Sequence, residues 1–565
     1  MNLKRIKELK KTFKDLKIDG YVIPKNDEFF SEYSREDRLK LVSNFTGSAG
    51  CAILLKKKNY LFVDGRYSIQ ALKESGKNFK IVKYEKILDC NLFKNKTLGI
   101  DPNLFTSDQI KRFFTKKNKI KEINSKRIEK IFRCPSSNQK PFFSLNDKVT
   151  GENYKKKINK VAKWLKKNGL NYLFISSPEN VAWLLNVRGF DNPYSPIPNS
   201  RLLLSEKGKT FFFAEQKVCK KLILEKKLSP KEIVNHKNFR EFLGNLQSGK
   251  IVIDRKSCSL FFENILKKKF KIVKKVDPIY HLKSIKNPIE IKGMINSHIL
   301  DGVALTKFLY WIKNVNKKKI TEFQAQKKLE SFRKLNKNYL HPSFNTIAGA
   351  GGNGAIVHYR ADKKKSKKIE KKDIFLCDSG GQYKYGTTDV TRTICFMKPD
   401  YKTKNIFTKV LKGHIAVATS NLQTNYNGKL IDIRARKYLK RSNLDYEHGT
   451  GHGVGFYLNV HEGPQAISKF NSIKISKGMI LSNEPGFYQK GKFGIRIENL
   501  LFVSNLNKKL FFENLTLAPI EKDLINFDLL NKDEKNYLFR YHLNVYSKLS
   551  KFLNQSEKKW LSSFI

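Results

Sequence analysis

Apolar residues in the opening segment recur at Leu3, Ile6, Leu9, Phe13 and Leu16, the one-sided stripe of an amphipathic helix. The stripe stops at Asp19-Gly20, and the residues after it, Tyr21-Val22-Ile23, read as a buried strand. The same order returns roughly 150 residues later. There Tyr154, Ile158, Val161, Ala162 and Leu165 form a stripe that ends at Asn168-Gly169 and is followed by Tyr172-Leu173-Phe174-Ile175. A Gly-containing segment comes next in both copies, Asn44-Phe45-Thr46-Gly47 in one and Asn186-Val187-Arg188-Gly189 in the other. Each copy then shows a strand-turn-strand pattern, Ala52–Leu55 to Tyr60–Val63 and Arg201–Leu204 to Thr210–Phe213. The repeat predicts two α/β domains of one design. Past Asn287-Pro288, which should break the chain direction, Ile299, Val303, Ala304 and Leu309 predict a helix that opens a third and larger domain.

The expected class is α/β (α+β), with domains over residues 1–145, 146–286 and 287–565. The third ends in an extension over about 520–565, where Phe527, Leu530, Tyr537, Leu538, Tyr541 and Val545 predict a terminal helix packed on its own domain.

Composition changes this picture little. With 40% apolar and 12% aromatic residues, the chain can fill real cores. The first ten residues alternate charge with apolar side chains, which argues against a secretory signal. No run of about 18 uncharged apolar residues occurs, so no membrane span is expected. Seven cysteines, at positions 51, 90, 134, 219, 258, 377 and 395, are scattered and never form Cys-x-x-Cys. A reducing cytoplasm fits that usage, and a structural zinc cluster does not. The net charge of +61 raises the question of a polyanionic partner. Lysine, however, far outnumbers arginine and is spread over the whole length with abundant Asn, Ile, Phe and Tyr, the signature of an AT-biased coding sequence. Runs such as Lys363-Lys364-Lys365-Ser366-Lys367-Lys368 are read as solvated loops, and no specific nucleic-acid partner is expected.

The chemistry gathers in the third domain, where six of the ten histidines lie between His341 and His461. Ile374-Phe375-Leu376-Cys377 reads as a buried strand running into Asp378, and Gly380, Gly381 and Gly386 signal a turn before Thr387-Thr388-Asp389-Val390-Thr391. A hairpin folding about Tyr383-Lys384 would set Asp378 opposite Asp389. Opposed Cβ atoms lie about 4.5–5.5 Å apart, so two like charges there repel unless a cation is shared. A second hairpin, centred on Gly491, would oppose Glu484 and Glu498 in the same way. Between the two lies His448-Gly449-Thr450-Gly451-His452-Gly453-Val454-Gly455, followed by Asn459-Val460-His461-Glu462-Gly463-Pro464. Glycine at every second position excludes a His-x-x-x-His helix and places these histidines on a loop or irregular strand. Singly, each piece has an ordinary explanation as a turn former, a solvated acid or a loop. Jointly, four carboxylates and one or two imidazoles make an oxygen-dominated site suited to two divalent ions such as manganese, able to hold a hydroxide between them.

These stretches closely resemble the Xaa-Pro aminopeptidases (aminopeptidase P), which are "pita-bread" metallopeptidases. The match runs through Leu376–Tyr383, Gly386–Arg392, His448–Pro464, Asn483-Glu484-Pro485-Gly486 and Gly494–Asn499, and upstream through Asn353–Tyr359. It extends into the first two domains at Asn44–Gly50, Val63–Tyr67 and Trp183–Gly189, so it covers nearly the whole chain. The resemblance implies two creatinase-like N-terminal domains before a pita-bread catalytic domain. It implies that Asp378 binds one metal, that His452 and Glu484 bind the other, and that Asp389 and Glu498 bridge both. Glu484 would also be the general base and proton shuttle. His358 and His461 would hold the substrate and its scissile carbonyl, His448 would line the proline pocket, and Arg496 would orient carboxylates. A homodimer through the catalytic domain is implied as well. The chain departs from the pattern at Tyr385, where relatives commonly carry an acid, and in its lysine content; neither departure touches a ligand.

An Xaa-Pro bond carries no N–H and populates cis more than other peptide bonds, so its cleavage needs a proline-shaped pocket and a proton for the leaving amine. Three rivals share parts of the pattern. A prolidase has the same metal set and cleaves only dipeptides, but its two-domain layout fits this length less well. Methionine aminopeptidase has a much shorter N-terminal region. A metal-free pita-bread binding module would lose the ligands that this chain keeps.

Overall fold

The computed structural model describes residues 2–34, 37–87, 93–114, 118–132, 140–315 and 320–565; Cys90 and Cys134 lie outside them. The chain forms two compact units, residues 1–280 and 281–565.

The first unit holds the predicted repeat. Helix α1 (Asn2–Lys11) is shorter than its stripe: Ile6, Leu9, Phe13 and Leu16 are buried, with Phe13 and Leu16 in the turns that follow, whereas Leu3 in the first turn is 53% exposed. Strands β1 (Gly20–Pro24), β2 (Cys51–Leu55), β3 (Asn59–Val63), β4 (Lys80–Lys83), β5 (Thr97–Ile100) and β6 (Lys119–Glu122) form a sheet in the order β4-β3-β2-β1-β5-β6. Helix α2 (Tyr154–Lys167) is capped by the Asn153 side chain, which accepts from Lys155 N, and ends at Gly169 with φ +61. It buries Ile158, Val161, Ala162 and Leu165, as the stripe requires. The second sheet contains β7 (Tyr172–Ile175), β8 (Arg201–Ser205), β9 (Thr210–Phe213), β10 (Ile233–Val234), β11 (Lys250–Ile253) and β12 (Lys271–Lys274), in the order β10-β9-β8-β7-β11-β12. Strand for strand, and in every parallel or antiparallel pairing, the two sheets have the same topology.

The second unit opens with α3 (Pro288–Asn314). Pro288 takes the first helical position, where its missing N–H costs nothing. The Asn287 side chain accepts from Ile289 N and Glu290 N, and the Glu290 carboxylate accepts from Asn287 N at 3.0 Å. Such a capping box is worth about 1 kcal/mol. The helix is less one-sided than its pattern suggests. Ala304 and Leu309 are buried with Met294, His298, Asp301, Leu305 and Phe308, while Ile299 and Val303 are only partly covered. After α4 (Glu322–Lys334), two three-stranded sheets follow. One contains β13 (Tyr339–Pro342), β16 (Gly381–Tyr383) and β17 (Gly386–Thr387); the other contains β14 (Ile347–Ala350), β15 (Phe375–Ser379) and β18 (Val390–Ile394). Helices α5 (Tyr401–Ala418) and α6 (Gly428–Lys440) precede a five-stranded sheet built from β19 (Gly451–Gly453), β20 (Glu462–Ile467), β21 (Ile480–Asn483), β24 (Asn499–Leu506) and β25 (Lys509–Asn514). A separate hairpin, β22 (Gly486–Gln489) with β23 (Phe493–Arg496), is inserted between β21 and β24. The C-terminal segment packs on this unit through α7 (Lys532–Leu549), which buries Leu538, Tyr541, Val545 and Leu549; Leu530 is covered beside it and Phe527 stays 46% exposed.

Candidate metal centre

Strands β15 and β18 pair with Asp378 across from Thr391 and Ser379 across from Val390. The same register continues through Gln382 with Thr387 and Tyr383 with Gly386. The turn is therefore at Lys384-Tyr385, one residue beyond the expected Tyr383-Lys384. Asp389 lies diagonal to Asp378 instead of directly opposite it. The pairing with β13 sets this register: Tyr339 aligns with Tyr383, their rings 5.5 Å apart, and Lys384 N donates to Asn338 O. The two acids meet all the same, with ligand atoms of Asp378 and Asp389 within 4.8 Å of each other. Gly380 sits where the chain passes from one sheet to the other; a Cβ there would meet Thr388 O at 2.0 Å.

The second hairpin has the expected register. Gly486 aligns with Arg496 and Asn483 with Asn499, so Glu484 faces Glu498. What the pattern did not reveal is that the ladder opens here: Glu484, Pro485, Ile497 and Glu498 are outside any strand. One bond still crosses the opening, with Ile497 N donating to Pro485 O at 3.3 Å, but the backbone groups of the two acids bond elsewhere. Glu484 N donates to Thr450 O at 2.8 Å, Glu498 N donates to Thr391 O at 3.1 Å, and Arg392 Nη1 donates to Glu498 O at 2.7 Å.

His452 lies on β19, an irregular short strand as the glycine spacing predicts, with a register shift between His452 and Gly453. Its Nδ1 donates to Gly453 O at 2.9 Å. That bond leaves Nε2 facing Asp389 Oδ2 at 3.5 Å and Glu484 Oε1 at 3.6 Å. The His461 ring stands edge-on to His452, centroids 4.3 Å apart. The neighbouring Glu462 carboxylate is buried between Lys283, at 3.1 Å, and Lys286.

Three sets of ligand atoms each fall within 4.8 Å of one another: Asp378, Asp389 and Glu498; His452, Glu484 and Glu498; and Asp389, His452 and His461. The first two share Glu498, the arrangement a pair of ions needs. The residues fit such a pair on two further grounds. Asp378 Oδ1 is buried without a hydrogen-bond partner, while Oδ2 accepts from Arg496 Nη2 at 2.6 Å. The crowding of acids is also electrostatically unresolved by protein alone. Burial, against the pull of Arg496, pushes Asp378 up to about 7; burial and the neighbouring carboxylates raise Glu484 and hold Glu498 well above its ordinary range. Burial lowers His452, but Asp389 and Glu484 outweigh it and lift the imidazole to about 9. Such a cluster retains protons until divalent cations displace them. The other close group, Cys395 with Glu521 and Asp523, differs in that Lys313 already sits on both acids at 2.7 and 3.1 Å.

A hydrogen-bonded frame supports the acids. Arg496 Nε donates to Thr391 Oγ1 at 3.1 Å and its Nη1 to Tyr488 OH at 2.6 Å; Thr391 Oγ1 donates to Glu498 Oε2 at 2.6 Å. Tyr488 OH bonds His448 Nε2 at 2.8 Å, and His448 Nδ1 donates to Gly449 O at 2.7 Å. His448 thus has both nitrogens engaged and stands 4.8 Å from the Tyr446 ring. His358 is half-buried in the turn after Asn353–Ala355, where the adjacent Tyr359 OH donates to Glu322 at 2.7 Å. Sequence reasoning missed Thr391 as an acid partner and missed Tyr488 altogether. Their positions, two residues after Asp389 and four after Glu484, were the available signal.

Comparison with known proteins gives the same outline. Residues 292–505 match the model of metallopeptidase family M24, and 508–563 match the C-terminal region of that peptidase. Residues 5–131 and 133–290 each match a creatinase/prolidase N-terminal domain. Xaa-Pro aminopeptidase 1 of Dictyostelium discoideum is 36% identical over 100% of this chain and 96% of its own. A probable Xaa-Pro aminopeptidase P of Laccaria bicolor is also 36% identical, over 99% and 92%. Among solved structures, an X-prolyl aminopeptidase from Caenorhabditis elegans, described as a cytosolic enzyme with a di-nuclear active site, superposes with a TM-score of 0.91 at 28% identity, covering 100% and 99% of the two chains. A prolidase from Pyrococcus furiosus, at 25% identity and a TM-score of 0.51, covers only 63% of this chain and 98% of its own. The chain, with its creatinase-like α/β N-terminal domains and pita-bread catalytic domain, therefore belongs to the Xaa-Pro aminopeptidases of metallopeptidase family M24.

Proposed function

We propose that this enzyme removes the first residue from peptides with proline at the second position, using two divalent ions, Mn2+ by the hardness of the donor set. The observation that carries the reading is the pair of ligand sets joined at Glu498. Asp378 would hold one ion, His452 and Glu484 the other, and Asp389 and Glu498 would serve both. When bound, such a pair supplies an activated water and polarises the scissile carbonyl.

The residues do the rest. Glu484, whose carboxyl is raised by burial, takes a proton from the attacking water and delivers it to the proline nitrogen as the bond breaks. His461, edge-on to His452, and His358 hold the substrate carbonyl. His448, fixed by Tyr488 and Gly449, forms one wall of the proline pocket. Arg496 keeps one oxygen of Asp378 occupied, which would leave the other for an ion.

The five described cysteines are all buried and unpaired, and among the described residues no helix is long and apolar enough to cross a membrane. A cytoplasmic location is our reading. A homodimer would use the catalytic unit, where Phe539 and Leu543 of α7 are 49% and 45% exposed.

The test is to strip the metal, restore Mn2+, and compare Xaa-Pro-Yaa tripeptides with Xaa-Pro dipeptides and Xaa-Ala-Yaa controls. Release of the first residue from the proline tripeptide alone is expected. Activity confined to the dipeptide would make the enzyme a prolidase.

A further inference from the structure

At the gap in the second hairpin, the residue just before each acid matters most, because its carbonyl fixes the peptide plane from which the acid departs. Those residues are Asn483, before Glu484, and Ile497, before Glu498. Both face one side chain that no part of the reading above uses, His414 of α5.

His414 is fully buried. Its Nδ1 contacts Asn483 O at 3.1 Å, and since a carbonyl can only accept, Nδ1 carries the proton. Asn483 returns the bond, its Nδ2 donating to His414 O at 2.9 Å. The Ile497 carbonyl is the second backbone group against the ring. Burial and the nearby Arg392 charge drive the imidazole down to about 3, so it stays neutral wherever the enzyme works. The helix that presents it is itself fixed: a Cβ on the adjacent Gly413 would meet Ala435 O of α6 at 2.3 Å, so the two helices pack backbone to backbone at this turn. Arg392 plays the matching part on the opposite strand, donating to Glu498 O. One rigid donor thus holds each side of the opening.

We infer that His414 is a positioning residue for Glu484: its reciprocal bonds with Asn483 fix the strand end at which Glu484 leaves the ladder and set where the Glu484 carboxylate meets the His452 side of the site. The inference rests on Glu484 being a metal ligand, as read above.

Three variants test it: His414→Leu, which removes the donor; His414→Asn, whose amide nitrogen reproduces the Nδ1 position; and His414→Gln, which carries the donor out to the Nε2 position. Mn2+ titration of the metal-free proteins is read together with kcat and KM. For His414→Leu we expect the weaker Mn2+ equivalent to lose about 10–100-fold in affinity, the range seen when a ligand's hydrogen-bond support is removed. kcat should fall by a similar factor, with KM changed less than about threefold, and His414→Asn should recover most of both. A lowered melting temperature with Mn2+ affinity and kcat within twofold of wild type would overturn the inference and leave His414 as packing only. If His414→Leu does not fold, the Asn and Gln variants decide: equal Mn2+ affinities for the two overturn it. A wild-type protein that takes up fewer than two Mn2+ would instead fail the dinuclear reading itself.

Discussion

The two acid-bearing hairpins reach one site by different means. In the Asp378 hairpin β15 and β18 stay paired up to Asp378 with Thr391 and Ser379 with Val390, and Asp389, just before β18 and outside any strand, sits diagonally to Asp378. In the Glu484 hairpin the acids face each other in register, but the ladder opens around them. An intact ladder aims its side chains through its own pleat, so Asp378 needs only Arg496 to hold it. An open one must borrow donors and acceptors. Glu484 N takes Thr450 O, Glu498 N takes Thr391 O, and Arg392 closes the Glu498 carbonyl. Arg392 has no carboxylate partner in its bonds; it donates to Thr391 O, Glu498 O, Pro519 O, Ala518 O, Asn499 Oδ1 and Tyr541 OH. The gap is therefore supported by the first hairpin and by α7 together, which gives the C-terminal helix a reason to pack where it does.

The largest effect should come from breaking a shared ligand. Asp389 belongs to the ligand sets on both sides, so Asp389→Ala should lower kcat/KM by at least roughly a thousandfold, the several kcal/mol that ion-assisted stabilisation supplies. Mn2+ bound per chain, measured by metal analysis after gel filtration, should fall below two. Unchanged activity in this variant would end the dinuclear mechanism.

A smaller effect isolates the link between the hairpins. Thr391 accepts from Arg496 and donates to Glu498, so its hydroxyl joins the first hairpin directly to the carboxylate of the acid at the gap. Thr391→Val keeps the shape and removes both bonds. It should cost about 10–100-fold in kcat or in metal affinity, while Thr391→Ser stays near wild type. Equal losses in the Val and Ser variants would mean that packing, not the hydroxyl, matters.

The same contrast explains what could be read from the residues alone. Helix stripes, strand pairs and the doubled α/β design follow from local periodicity; the four carboxylates stand out at turn-marked strand ends, while the choice of His452 as their partner rests on the family resemblance. The turn of the first hairpin was misplaced by one residue because its register is set by β13, some forty residues upstream, and not by the glycines inside it. Leu3 failed as a core residue because a stripe does not say where its helix outruns the core. Thr391, Arg392, Tyr488 and His414 act through bonds to residues remote in sequence. Nothing in their local pattern separates a threonine in a strand from one that holds a carboxylate.

Proton linkage gives the finest comparison, between the site with and without its ions. In the metal-free protein Asp378 is lifted from 3.8 to about 7, so between these values the folded chain holds a proton that the unfolded chain has lost. Stability therefore falls as pH rises through that window, and the penalty is complete above about 7. His452 is lifted from 6.5 to about 9; its contribution is full below 6.5 and is lost as pH rises to about 9. Both groups push the same way, and metal-free stability should decline from pH 5.5 to 8.5. Ion binding needs the deprotonated forms, so affinity rises over the same range, by up to about tenfold per pH unit for each proton displaced. The melting temperature of the Mn2+-loaded protein minus that of the metal-free protein should then widen steadily with pH at fixed free Mn2+. In Asp378→Asn, which removes one of the raised groups, the widening should persist above pH 7 through His452 and lessen below it. A difference independent of pH in the wild type would show that the acids are already deprotonated before the ions arrive, and that Arg496 alone compensates them.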